Sequence, residues 1–239
     1  RVIAPLGGGS RNHVYRLGRP PQAIAVRIAG AGDARLGVLR ASELLAQRAA
    51  AAAGLAPRVL WSGRESGILV SEFVEGRVWS AADAATPRSI RRVAAWLRRL
   101  HALAPPAGLH GVDFLESLRG YCGRLPPGSE VATLLGPAVE WRAQLGQPAR
   151  VVVCHHDLHH ANVLEAGDGL RVVDWEYAGL GDPVMALAGF ASYHALDEAG
   201  ARLLVEAYGE PGAVTAARLA PARRLFEAVT RAWSEVGPA

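Results

Sequence analysis

The chain has 239 residues, 50% of them apolar or aromatic and 20% charged, which excludes a disordered tail and fits one large domain or two small ones. All 26 basic residues are arginine, so mechanisms that need a Schiff-base lysine or a Walker-type phosphate-loop lysine are excluded. The net charge of +4 is too mild to argue for a nucleic-acid or membrane partner.

Residues 1–75 read as strand-rich with one helix. Val2–Leu6 and His13–Leu17 are strands around a glycine cluster, and a turn at Gly18–Pro21 leads to a third strand over Ala23–Ala29, interrupted by Arg27. A helix follows from about Arg35 to Ala53, stopped by Gly54 and Pro57, with further strands at Arg58–Trp61 and Gly67–Phe73. The order βββαββ predicts a small antiparallel sheet, with a domain boundary near Gly76. Residues 76–239 form a second, mainly helical unit. Thr86 and Pro87 read as the cap and first residue of a helix over Arg88–Leu103. Ile90, Val93, Leu97 and Leu100 share one face of it, and Arg91, Arg92, Arg98 and Arg99 are expected to face water. Residues 183–236 again read as helical.

Charge is unevenly spread. Residues 1–60 hold nine arginines against two acids, whereas residues 151–200 hold eight acids against Arg171 alone. One end suits phosphate and the other a metal or a cation. Cys122 and Cys154 lack a partnered spacing, so neither a disulfide framework nor a structural zinc site is expected, and a reducing cytoplasm is the default location. No apolar run reaches the roughly 18 residues of a membrane span. The chain starts at Arg1 without an initiator Met, so a short leading segment is expected to be missing.

The most informative stretch is Val151–Gly181, in which an apolar strand runs into a polar loop and a hairpin-like pair of strands then leads to Asp174. Asp157, Asn162 and Asp174 are the side-chain types that phosphoryl transfer needs: a carboxylate to orient the attacking hydroxyl, and oxygen ligands for Mg²⁺. An ordinary Asp is too acidic to hold a hydroxyl proton early in such a reaction, so Asp157 is expected mainly to orient the nucleophile and to take its proton late.

His155, Asp157 and Asn162, followed by Val173, Asp174, Trp175, Glu176, Tyr177, Ala178 and Gly179, resemble the HxDxxxxN and IDxE signatures of the aminoglycoside phosphotransferase and choline kinase superfamily. The DWEYAG version resembles the thiamine kinase and choline kinase branches. The resemblance implies a two-lobed, protein-kinase-like α+β fold, with a small antiparallel-sheet N-lobe and a larger, mainly helical C-lobe. It implies Asp157 as catalytic base, Asn162 and Asp174 as metal ligands, His155 as a structural residue of the loop, and ATP and Mg²⁺ as cofactors. Pro5–Leu17 resembles the nucleotide loop, where Gly8, Gly9, Ser10 and Asn12 would approach phosphate. Arg27 stands where protein kinases carry lysine, Glu43 where the helix acid pairs with that cation, and Glu72, Phe73 and Val74 where the connector backbone holds adenine.

The partner implied is a small molecule bearing a hydroxyl, with neither nucleic acid nor membrane. Glu176, Tyr177, Asp182 and Trp175 are its candidate contacts, with Tyr193, Tyr208 and Trp233 as further aromatic walls. Acids and aromatic faces suit a cation such as thiamine or a choline-like amino alcohol, ahead of an aminoglycoside. Two readings of other classes stand beside this one. A transition-metal hydrolase would use His155, His156, His159 and His160. A non-catalytic relative would bind nucleotide or a small molecule without turnover.

Overall fold

Short apolar strands of four or five residues pair edge to edge because each hides one face and satisfies its backbone through its neighbours. In the computed structural model, which describes residues 3–6, 12–30, 36–63, 66–167, 169–210 and 214–237, five of them form an antiparallel sheet. They are β1 (Ile3–Leu6), β2 (His13–Leu17), β3 (Ile24–Ile28), β4 (Val59–Gly63) and β5 (Ile68–Glu72), in the order β1-β2-β3-β5-β4. The register sets Arg27 of β3 opposite Val14 and Leu69, in the middle of the sheet.

Helix α1 (Arg40–Ala52) crosses between β3 and β4 and starts five residues later than the sequence predicts. Gly37 is left-handed at φ 74° and Leu39 is extended, so the backbone cannot enter the helix before Arg40. Ser42, Glu43, Ala46, Gln47 and Ala50 are its buried residues, which aims the one acidic side chain of its first turn inward.

The chain leaves this sheet after Glu72. At β6 (Arg77–Val78) it joins a three-stranded sheet, β6-β8-β9, with β8 (Val163–Ala166) and β9 (Gly169–Val172). A two-residue strand carries no readable periodicity, and the sequence reading omits it. The rest is mainly helical: α2 (Ala81–Ala84), α3 (Pro87–His101), α4 (Phe114–Cys122), α5 (Leu135–Leu145), α6 (Pro183–Tyr193), α7 (Glu198–Tyr208) and α8 (Ala216–Val236). A second ladder, β7 (Val152–Cys154) with β10 (Gly179–Gly181), lies among them.

Thr86 caps α3 by accepting the Ser89 N–H at 3.2 Å, with Pro87 at the first helical position. Ile90, Val93, Leu97 and Leu100 are buried together in the core. The arginines of α3 do more than face water. Arg92 pairs with Glu165 of β8 and lies 5.8 Å over the Trp79 ring, and Arg99 donates to the Ala53 carbonyl at 2.7 Å. Periodicity identifies the outer face of a helix but not the neighbours that a long side chain can reach. No helix among the described residues is long and apolar enough to cross a membrane.

Candidate active site

The loop between β7 and β8 is organised by His155. Its Nδ1 accepts the Asp157 N–H at 3.2 Å, and since an amide can only donate, the ring hydrogen must sit on Nε2, which faces the Val173 carbonyl at 3.0 Å. Complete burial pushes its pKa down to about 4, so the ring stays neutral and the pattern holds at neutral pH. His155 thereby ties the loop to the strand end that carries Asp174.

Asn162 is anchored through its amide nitrogen, which donates to the Asp157 carbonyl at 2.9 Å and to Oδ2 of the same residue at 3.2 Å. Its side-chain oxygen is the atom that suits a hard cation. Asp174 sits in the left-handed region at φ 61°, and its Oδ1 is buried and accepts no hydrogen bond among the described residues. Burial, followed by the neighbouring Glu176 carboxylate, pushes its pKa up to about 7, against the opposing pull of Arg27. Arg27 Nη1 lies 3.6 Å from that orphaned oxygen.

Arg27 and Glu43 form a two-pronged ion pair: Nη1 meets Oε1, and Nη2 meets Oε2 at 2.8 Å. Arg40, which the sequence reading passed over, adds a third strand to this net. Its Nη1 lies 2.9 Å from Glu43 Oε2 and 3.4 Å from Glu176 Oε2. Asn12 completes the link between the two halves of the molecule by donating to Glu176 Oε2 at 2.8 Å. The signal for Arg40 was its spacing, three residues before Glu43 and hence on the same helix face.

A cavity of about 360 Å³ opens beside these groups, with Asp157, Asp174, Glu176, Tyr177, Tyr193 and Trp233 in its wall. Tyr177 belongs to that wall, its hydroxyl accepting the Trp233 indole N–H at 2.9 Å. Two expected contacts do not. Trp175 is fully buried beneath the loop, edge-on to His155 at 4.7 Å, with its N–H on the Val172 carbonyl, so it supports the floor and cannot touch an acceptor. Asp182 caps α6 through the Val184 N–H and pairs with Arg218 at 2.5 Å, outside this cavity. Tyr208 is likewise core, hydrogen-bonded to His101 at 2.8 Å.

In the connector, the Glu72 N–H is taken by the Arg58 carbonyl and the Phe73 N–H by the Ala23 carbonyl. Gly8, Gly9 and Ser10 lie outside the described residues. Among the described residues no three His, Cys, Asp or Glu side chains converge as a transition-metal site, and His155 is committed to the backbone.

A small antiparallel sheet over a helical lobe, with Asp157, Asn162 and Asp174 at their junction, is the protein-kinase-like fold. A choline kinase from Streptococcus pneumoniae superposes with a TM-score of 0.84 at 19% identity, covering 100% of this chain and 87% of that one. A choline/ethanolamine kinase family protein from Mesorhizobium loti gives 0.81 at 24% identity, covering 98% and 78%. In sequence, a thiamine kinase from Salmonella heidelberg is 37% identical over 73 residues, which span 30% of this chain and only 26% of that relative. Residues 2–222 match the phosphotransferase enzyme family, and the chain belongs to that family.

Proposed function

We propose that the chain transfers the γ-phosphoryl group of ATP to a hydroxyl of a small cationic metabolite, thiamine or a choline-like amino alcohol. The observation that carries this reading is the orphaned Asp174 Oδ1, buried in the wall that also holds Asp157 and Glu176. A buried carboxylate oxygen without a donor, among other acids, is a poor structural element and a good ligand for a hard cation. Asn162 and Asp174 fit Mg²⁺ as one amide and one carboxylate oxygen. When bound, the ion would neutralise charge on the nucleotide phosphates.

The chain's own groups divide the remaining tasks. Asp157 orients the acceptor hydroxyl towards the phosphoryl group and receives its proton late. Arg27, held by Glu43, supplies a fixed positive charge for phosphate that no working pH removes. Of the three connector residues, Val74 is the one whose amide meets no backbone acceptor among the described residues, and it is the amide assigned here to adenine. Tyr177, Tyr193 and Trp233 supply aromatic faces, each worth roughly 0.5–2 kcal/mol to a cation, and the neighbouring acids favour the same charge.

The test is ADP release with thiamine, choline, ethanolamine and aminoglycosides as acceptors, with product mass confirmed. Asp157→Asn is expected to lose turnover by orders of magnitude while keeping nucleotide affinity. Asp174→Ala is expected to lose both turnover and Mg²⁺-dependent nucleotide binding. Wild-type turnover in Asp157→Asn removes the base, and nucleotide binding without turnover on any acceptor favours a non-catalytic binder.

A further inference from the structure

His156 stands out among the buried imidazoles. Four histidines are buried: His101, His155, His156 and His194. His101 meets the Tyr208 hydroxyl, His155 uses both ring nitrogens, and His194 uses both as well, on the Phe190 carbonyl and the His160 N–H. His156 is 8% exposed, and neither Nδ1 nor Nε2 has a hydrogen-bond partner among the described residues. A leucine would fill the same space without an unsatisfied donor.

The backbone there is also costly. His156 adopts φ 65°, a left-handed conformation that disfavours any residue with a Cβ. The surroundings are nevertheless shaped around the ring. Phe114 meets it edge-on at 5.2 Å, and a Cβ on Gly181 would fall 2.7 Å from its Cε1 and 2.9 Å from its Nε2. Only glycine at 181 leaves room for the imidazole. Unpaired nitrogens and a strained backbone together mark a group kept for something the chain itself does not contain.

The position indicates what that is. His156 immediately precedes Asp157 and lies in the wall of the same cavity, near Phe114, Phe226 and Tyr193. We propose that His156 recognises the acceptor, hydrogen-bonding a polar group of it other than the hydroxyl to be phosphorylated. The inference rests on the reading of this cavity as the acceptor site. Burial pushes the ring's pKa down to about 3, so it is neutral and offers one N–H donor and one lone pair without repelling a cationic acceptor. Recognition would require the ring to turn about χ2, a soft torsion, so as to aim a nitrogen at the cavity, and that turn is part of the proposal.

This narrows the substrate class. A quaternary ammonium has neither a donor nor an acceptor for an imidazole, so choline would leave His156 unsatisfied. An amino alcohol with a primary amine, or a hydroxyethyl heterocycle with ring nitrogens and an exocyclic amine, would satisfy it. The structure thus favours acceptors of the second kind.

The test is calorimetric binding of choline, ethanolamine and thiamine, with ADP present, to wild type, His156→Leu and His156→Gln. Leu keeps size and removes hydrogen bonding, whereas Gln keeps a donor and an acceptor. For whichever hydrogen-bonding acceptor wild type binds, His156→Leu is expected to lose at least tenfold more affinity than it loses for choline, and His156→Gln to recover much of that loss. Equal losses for all acceptors, or a Gln variant no better than Leu, overturn the proposal. If wild type binds none of the three, the acceptor reading falls with it. If Asp157→Asn keeps full turnover while His156→Leu shows the selective loss, the base assignment falls and this proposal stands.

Discussion

Tyr193 donates its hydroxyl to Asp157 Oδ1 at 2.6 Å, while Asn162 donates to Oδ2 of the same carboxylate at 3.2 Å. Each oxygen of the residue assigned the base role is therefore held by a different element, one from the end of α6 and one from its own loop. Two donors on two oxygens fix both the rotamer and the plane of the carboxylate. The Tyr193 ring also stands edge-on to His159 at 5.4 Å and Phe226 at 5.2 Å, so the contact is braced on the cavity side.

Tyr193→Phe keeps the aromatic wall and removes one of the two holds. A hydrogen bond to a charged group contributes about 1.5–3 kcal/mol, so kcat is expected to fall by about 10- to 100-fold. The KM for nucleotide is expected to change little, because Tyr193 lies in the wall of the cavity proposed for the acceptor. Steady-state kinetics with each substrate varied in turn checks the split, and a kcat within twofold of wild type would deny Tyr193 any part in positioning the base.

Arg27 and Glu43 are both largely buried, with side-chain exposures of 11% and 3%. Removing one partner of such a pair ordinarily costs about 3–5 kcal/mol, because the other charge is left without compensation. Here Arg40 also contacts Glu43 Oε2, so the loss in Arg27→Ala should fall below that range. Thermal melting is expected to show a smaller drop for Arg27→Ala than for the double variant Arg27→Ala/Arg40→Ala. Nucleotide KM is expected to rise in both. Equal melting temperatures for the single and double variants would mean that Arg40 does not share the load.

Acid should destabilise the chain through its buried imidazoles. Burial depresses His101 and His156 to about 3 and His155 to about 4, from an ordinary value of 6.5. Each ring is neutral when folded and protonated when unfolded below pH 6.5, so its contribution is complete above that pH and is lost as pH falls towards 4. Asp174, raised to about 7, takes up one proton in the opposite sense. The net of about two protons amounts to roughly 3 kcal/mol per pH unit. Melting temperatures at pH 8, 7, 6 and 5 are expected to hold between the first two and drop across the rest. A flat series would show that these rings are charged in the fold.

What the sequence made legible follows from where the chemistry is local. Asp157 and Asn162 lie five residues apart on one loop, and Asp174 ends the next hairpin, so their pattern survives in the linear order. The Arg27–Glu43 pairing was legible through the resemblance, which places a cation on the third strand and an acid on the helix after it. An aromatic or an acid beside a signature has the same letter whichever way it points: Trp175 points into the core, and Asp182 to the cap of α6 and to Arg218. Tyr193 on Asp157 and Asn12 on Glu176 join residues 36 and 164 positions apart, and nothing local encodes such a meeting.

Gly76 offers a test of how the two halves are joined. A Cβ there would lie 2.7 Å from the Glu165 carbonyl oxygen and 3.1 Å from its carbon, and both are backbone atoms of β8 that cannot swing aside. The chain must pass this close because Arg77 and Val78 pair with Glu165 and Leu164 in the very next residues. Gly76→Ala is therefore expected to push β6 off β8 and to strain the ion pair of Arg77 with Glu165, at a cost of about 1–3 kcal/mol for an overpacked position. Gly120 is the control: it lies exposed in α4, and an added Cβ would meet only the far end of the Arg124 side chain, at 3.9 Å. Gly120→Ala should gain about 0.5–1 kcal/mol from helix propensity. Opposite shifts in melting temperature for two chemically identical substitutions would locate the strain in the connector, and parallel shifts would show that the close approach at Gly76 yields without cost.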